Sequence, residues 1–289
     1  MKNVLFRGVC TALVTPFFDG KVNYPMAEQL IRRQIDAGVK AIILAGTTGE
    51  ASTLTFDEKV ELFARCKDFT GDRCKIIAGT GCNSTSYTVE LSQAAEECGV
   101  DGLLVVTPYY NKANDEGLFA HYTTVAHKVS LPIILYNVPS RTGVDIPISV
   151  LKRLSHIPNI AGIKEASTDI VKQSRILSAC GDRLSIWAGN DSHITASAAI
   201  GGQGVISVLS NLYPAETVTL TDAALDGDFD TAAELQIRLT ELIDALFIDV
   251  NPIPVKYAMR AIGFDCGNCR LPLSQLSQEH KQKLSQLLG

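Results

Sequence analysis

The chain has 289 residues, 46% of them hydrophobic and 20% charged, with a mean hydropathy of +0.14. That composition buries a sizeable core and excludes a disordered or fibrous protein, and the length suits one large domain or two small ones. A formal net charge of −5, with no block of like charges, offers no basic face for gripping nucleic acid, so no nucleic-acid partner is expected.

Taken in chain order, Met1–Gly8 carries Lys2 and Arg7 around three apolar residues, far short of a signal-peptide core. The eight cysteines are irregularly spaced, and without a secretion signal they read as reduced thiols of a cytoplasmic protein. A first strand is expected over Gly8–Phe17. Met26, Leu30, Ile31 and Ile35 then lie at helical spacing, with Gly38 as a stop. A second strand, Ala41–Gly46, precedes a capping-box pair, Thr55 and Glu58, ahead of Val60, Leu62, Phe63 and Cys66. Further strands are expected at Lys75–Ala78, Gly102–Thr107 and Pro132–Tyr136. Pro147 suits the first turn of a helix carrying Val150, Leu151 and Leu154. Ile160–Lys164, Leu184–Ala188 and Gly204–Val208 complete the series. Residues Ile194–Ala215 lack any charged side chain, but Gly201, Gly202, Gly204, Ser210, Asn211 and Pro214 break them up. They read as a buried helix, a glycine turn and a strand rather than a membrane span.

Several of the eight runs are apolar without alternation, as strands covered on both faces are. Eight such strands alternating with helices over roughly 210 residues predict an α/β fold, a (β/α)8 TIM barrel, with an open doubly wound sheet as the competitor. Residues 1–213 would form the barrel, and 214–289 a C-terminal helical appendage of three helices within the same structural unit.

The C-terminal ends of barrel strands form the active face. Here the second run ends in Gly46-Thr47-Thr48-Gly49-Glu50 and the fourth in Thr107-Pro108-Tyr109-Tyr110-Asn111. The fifth ends in Tyr136-Asn137, followed by Pro139-Ser140-Arg141-Thr142-Gly143, and the sixth in Lys164-Glu165. Lys164 emerges from a buried strand, where lost solvent disfavours an ammonium and gives access to a nucleophilic amine. Such an amine forms Schiff bases with ketones and aldehydes; the alternative is an ion pair with Glu165 or another carboxylate. Tyr136 is placed to pass protons, or else to fill a barrel layer. Thr47 and Thr48 suit a carboxylate held by hydroxyl and backbone donors, and Arg141 suits a second one; a plain turn and a helix cap are the other readings.

Other motifs stop short. Gly46–Gly49 lacks the lysine of a phosphate-binding loop, and Gly79-Thr80-Gly81 lacks the third glycine of a dinucleotide fingerprint. Asp226-Gly227-Asp228-Phe229-Asp230 begins like a calcium loop but has Thr231 where glycine is required. The five histidines are scattered, and Cys266-Gly267-Asn268-Cys269 is a lone pair of thiols. No metal, nucleotide or redox cofactor is expected.

Gly46–Glu50, Thr107–Asn111, Tyr136–Gly143, Gly162-Ile163-Lys164-Glu165 and Asn251-Pro252-Ile253-Pro254-Val255-Lys256 together resemble the 4-hydroxy-tetrahydrodipicolinate synthase (dihydrodipicolinate synthase) family, from about Gly8 to the end. The resemblance implies a barrel with a helical appendage, a homotetramer built as a dimer of dimers, and condensation of pyruvate with L-aspartate 4-semialdehyde on the way to diaminopimelate and lysine. It implies that Lys164 forms the Schiff base and that Tyr136 exchanges protons. Thr47 would link Tyr136 to a Tyr110 reaching in from a neighbouring subunit. Thr48 and the backbone at Ile206 would hold pyruvate, and Arg141 would receive the carboxylate of the aldehyde. Sister families, N-acetylneuraminate lyase and keto-deoxy-sugar-acid aldolases, share the lysine and tyrosine; Arg141 favours the semialdehyde over a neutral sugar aldehyde. A catalytically silent metabolite-binding barrel is the third reading.

In lysine-inhibited members of the family, a cleft at the tight subunit interface carries histidine and glutamate. This sequence retains Asn83 and Tyr109 there, with Ala51 a further candidate for the cleft, but places Phe56, Lys59 and Tyr87 at the differing positions. Lys59 would repel an ammonium and Tyr87 removes a carboxylate partner, so feedback by lysine is expected to be weak or absent.

Overall fold

The computed structural model describes residues 4–288; the first three residues of the Met1–Gly8 stretch lie outside it. Eight parallel strands close into a barrel, each hydrogen-bonded to its neighbours in sequence, with the first and last joined. They are β1 Gly8–Ala12, β2 Ala41–Leu44, β3 Lys75–Gly79, β4 Gly102–Val106, β5 Ile133–Asn137, β6 Ile160–Glu165, β7 Ser185–Ala188 and β8 Gly204–Ser207. Closure excludes the open-sheet alternative, and it removes both sheet edges.

Alternation along each strand divides the core in two. Ile42, Ile76, Leu103, Leu135, Ile163, Ile186 and Val205 face outward to the helices. Cys10, Ile43, Ile77, Leu104, Ile134, Tyr136, Trp187 and Ile206 fill the lumen. Between β5 and β6 the register breaks: Ile133 pairs with Ile160, but Ile134 pairs with Gly162, leaving Ala161 as an extra residue. Above that point Tyr136 stands directly opposite Lys164.

The first strand is shorter than the expected Gly8–Phe17. It ends at Ala12, and Phe17–Phe18 instead pairs antiparallel with Lys21–Val22. Asp19 (φ +49°) and Gly20 (φ +73°) form the turn between them, the dipeptide type that a tight hairpin favours. The Thr55–Glu58 capping box is present in both directions at the start of the helix Phe56–Thr70. Pro147 sits one residue ahead of the helix Ile148–Leu154 rather than inside it.

Beyond Tyr213 the described residues form four helices rather than the expected three: Pro214–Asp226, Phe229–Ala245, Ile253–Ala261 and Gln278–Leu288. Gly227, at φ +85°, closes the first of these, and the Asp228 side chain caps the second by accepting from the Thr231 N–H. That explains Asp226-Gly227-Asp228 as a helix break. The helix Pro214–Asp226 packs on β1 and so occupies the eighth place in the outer ring. Among the described residues no helix is long and apolar enough to cross a membrane.

Candidate active site

The site is built at the C-terminal rim by strand alternation. On β6, Lys164 points into the lumen and Glu165 points out toward the helices. Glu165 is fully buried there; it accepts from Asn137 Nδ2 at 3.0 and 2.9 Å and from the Ser167 N–H at 2.8 Å, with the Lys172 ammonium 3.8 Å away. Burial pushes its carboxyl above the usual range despite Lys172. The ion pair between Lys164 and Glu165, the alternative reading of the sequence, is therefore absent. No carboxylate among the described residues pairs with Lys164.

Lys164 is 5% exposed and its Nζ lies 4.4 Å from the centre of the Tyr136 ring, itself 6% exposed. The floor beneath them is Trp187, stacked on Phe6 at 4.7 Å and donating from its indole N–H to the Phe6 carbonyl at 3.2 Å. Gly162 makes room for that indole. A Cβ there would sit 2.7 Å from Cζ3 of Trp187 and 2.2 Å from the Ser185 carbonyl oxygen. An apolar floor and buried walls surround an amine that has been removed from water.

The turn Gly46–Glu50 forms one lip. Ala45 (φ +50°) and Glu50 (φ +56°) flank it, both in the left-handed region that non-glycine residues disfavour. Thr47 lines the cleft, and Thr48 is buried. Ile206 is fully buried on β8, and the chain just beyond is held by Asp191, whose Oδ2 accepts from the N–H groups of Val208 and Leu209 at 2.9 and 3.0 Å. Burial pushes the Asp191 carboxyl up.

A cleft of about 730 Å³ opens above, lined by Thr47, Tyr136 and Arg141 at the barrel end. Its far part is lined by Ala51, Lys59, Asn83, Tyr87 and Tyr109, so the residues of the lysine-type cleft and the lip of the barrel share one space. Lys59 is 8% exposed, its Nζ is 5.4 Å from the Tyr87 ring centre, and burial lowers its pKa. Phe56 packs edge-on against Tyr87 at 6.0 Å. Tyr110 is placed differently. It is 91% exposed with φ +75°, and within the single chain its hydroxyl does not meet Thr47 or Tyr136. Nor do the Thr47 and Tyr136 hydroxyls bond directly to each other.

Sequence reasoning gave no task to two residues beside the lip, Asn251 and Lys256. Asn251 Nδ2 donates to Thr48 Oγ1 at 2.9 Å, and Lys256 pairs with Glu50 at 2.5 Å. Their only signal was the motif Asn251–Lys256, quoted for the resemblance without a role. Away from the rim, Cys266 is buried with its Sγ 3.9 Å from Met259 Sδ, and its thiol is pushed up to about 12, which disfavours the reactive thiolate. All eight cysteines are unpaired. Among the described residues no group of three or more His, Cys, Asp or Glu side chains is arranged to hold a metal.

A closed barrel whose C-terminal rim sets a desolvated lysine against a tyrosine defines a barrel enzyme of the lysine-nucleophile class. The comparisons narrow this. Residues 5–289 match the model of the dihydrodipicolinate synthetase family. A 4-hydroxy-tetrahydrodipicolinate synthase of Thermoanaerobacter is 44% identical over 99% of this chain and 96% of its own. The crystal structure of dihydrodipicolinate synthase from Aquifex aeolicus superposes with a TM-score of 0.96 at 43% identity, covering 98% of this chain and 97% of that one. A homologue from Cyanidioschyzon merolae, crystallised with lysine bound, gives a TM-score of 0.96 at 38% identity, covering 99% and 98%. The chain belongs to the dihydrodipicolinate synthetase family, and it is an enzyme.

Proposed function

We propose that the enzyme condenses pyruvate with L-aspartate 4-semialdehyde to give 4-hydroxy-tetrahydrodipicolinate, feeding diaminopimelate and lysine synthesis in the cytoplasm. The observation that carries this reading is Lys164 at the mouth of the lumen, against the Tyr136 ring and paired with no carboxylate among the described residues. The neutral amine adds to the keto carbon of pyruvate, and loss of water leaves the imine. A proton then leaves the methyl carbon to give the enamine, whose carbon attacks the aldehyde; Tyr136 returns a proton to the new alkoxide. The amine of the aspartate-derived part displaces Lys164 from the imine carbon, closing the ring and freeing the enzyme.

Thr48 and the backbone at Ile206 are assigned to the pyruvate end. Arg141, exposed on the lip of the same cleft, is assigned to the carboxylate of the aldehyde. Thr47 would carry protons between Tyr136 and a Tyr110 contributed by a second copy of the chain, within a homotetramer that is a dimer of dimers. A tyrosine 91% exposed beside the cleft residue Tyr109 supports that arrangement.

Incubation with pyruvate and borohydride tests the reading. A reduced pyruvyl group is expected on Lys164 by peptide mass spectrometry, and Lys164→Ala is expected to lower turnover in the two-substrate assay by about 10³-fold or more. An adduct on another lysine, or none, overturns the mechanism.

A further inference from the structure

We propose that the C-terminal appendage supplies part of the pyruvate-binding machinery: Asn251 is a positioning residue that fixes the direction of the Thr48 hydroxyl, in a lip clamped by the buried Lys256–Glu50 pair. The proposal rests on the reading that Thr48 holds the pyruvate carboxylate.

A threonine hydroxyl has one proton to donate and two lone pairs that accept. Asn251 is 5% exposed, and its Nδ2 donates to Thr48 Oγ1 at 2.9 Å across 203 positions of sequence. With a lone pair of that oxygen occupied, the proton is turned away from Asn251. On the reading that Thr48 holds pyruvate, that proton is left for the substrate carboxylate. Asn251 thus gives the hydroxyl a single polarity before the substrate arrives, which lowers the ordering cost of binding. Asn251 also lines the cleft itself, and its own Oδ1 is buried without a partner.

The same segment holds the turn in place. Glu50 and Lys256 are 0% and 3% exposed at their side chains, and their pairing at 2.5 Å joins the turn to the helix Ile253–Ala261. Glu50 Oε2 also accepts from the Arg270 N–H at 2.9 Å, while Arg270 reaches Glu58 and the Thr53 carbonyl. From the barrel side, Thr15 Oγ1 donates to the Gly49 carbonyl at 2.7 Å. Thr48 and Glu50 are therefore pinned by the segment Asn251–Lys256, Glu50 by Arg270 as well, and Gly49 between them by Thr15. A turn with a left-handed, non-glycine residue at each flank needs such over-determination to persist.

The test is a double-mutant cycle on the full-length enzyme, using Asn251→Leu, which keeps the volume but removes the donor, and Thr48→Val. Each single change is expected to raise the KM for pyruvate by about 10- to 100-fold, the range for losing a hydrogen bond to a charged group, with kcat changed by less than about threefold. The double variant is expected to match Thr48→Val within about twofold, because Asn251 acts through Thr48. Fold-changes that multiply, or an unaltered pyruvate KM in Asn251→Leu, overturn the proposal. Circular dichroism checks folding, and Asn251→Ala replaces Asn251→Leu in the same cycle should the latter not fold. Borohydride trapping on the wild-type enzyme separates the two levels. A missing Lys164 adduct defeats the catalytic reading, whereas an adduct together with multiplying fold-changes defeats only the role of Asn251.

Discussion

At the scale of single residues, Lys164 and Tyr136 were legible because strand termini announce themselves: an apolar run stops and a reactive side chain follows. Their mutual contact was not, since it depends on the pairing of two strands. Asn251 was opaque for a different reason. A side chain that meets its partner 203 positions away leaves no periodic trace in the sequence. Lys59 combines both cases, visible as an odd cation but with its burial hidden. Its ammonium stands 8% exposed against the Tyr87 ring in the far part of the cleft, and a lysine ligand would bring further positive charge into the same desolvated space. Inhibition by lysine at about 1 mM is therefore expected to be weak or absent; half-inhibition below about 1 mM would contradict this.

At the scale of elements, all eight strands were readable, because parallel strands buried on both faces are continuous apolar runs. Their ends were less so. The Asp19-Gly20 turn that cuts Phe17–Phe18 away from β1 is local chemistry and could have been read from the dipeptide. The extra residue at Ala161 could not, since a ladder irregularity is a property of two strands together. Gly162 just above it carries a sharp prediction. A methyl group there meets the Ser185 carbonyl oxygen at 2.2 Å and the Trp187 ring at 2.7 Å, both inside a closed barrel with no slack. Gly162→Ala is expected to destabilise the fold by about 3 kcal/mol or more, read from the urea midpoint. A loss of less than about 1 kcal/mol would show that the indole can move.

At the scale of the whole molecule, the barrel was legible in the spacing of its apolar runs, but the joint between barrel and appendage was not. The helix Pro214–Asp226 belongs to the outer ring, while Asn251, Lys256 and Arg270 return from beyond it to the rim. Global stability carries its own pH signature. His121, 4% exposed and bonded through Nδ1 to Thr85 Oγ1 at 2.9 Å, has its pKa pushed down to about 4 by burial. An unfolded chain takes up that proton near pH 6.5 and the folded one only near 4. The stabilisation is thus complete above 6.5 and is lost as the pH falls toward 4, by on the order of 3 kcal/mol. Urea midpoints measured from pH 7 to pH 4.5 are expected to fall more steeply for the wild type than for His121→Leu. Parallel curves would show that this imidazole does not control the slope.

The misfit between β5 and β6 has a chemical outcome at the far end of the strand. Ile160 and Ile163 both face the helices, which strict two-residue alternation forbids. Ala161 absorbs the mismatch and resets the phase. Were the strand regular from its foot upward, every residue above would be turned through half a revolution: the acid Glu165 would hang over the substrate and the amine Lys164 would be shut among the helices. One alanine near the bottom of the barrel thus decides which of two neighbouring functional groups the protein offers at its mouth.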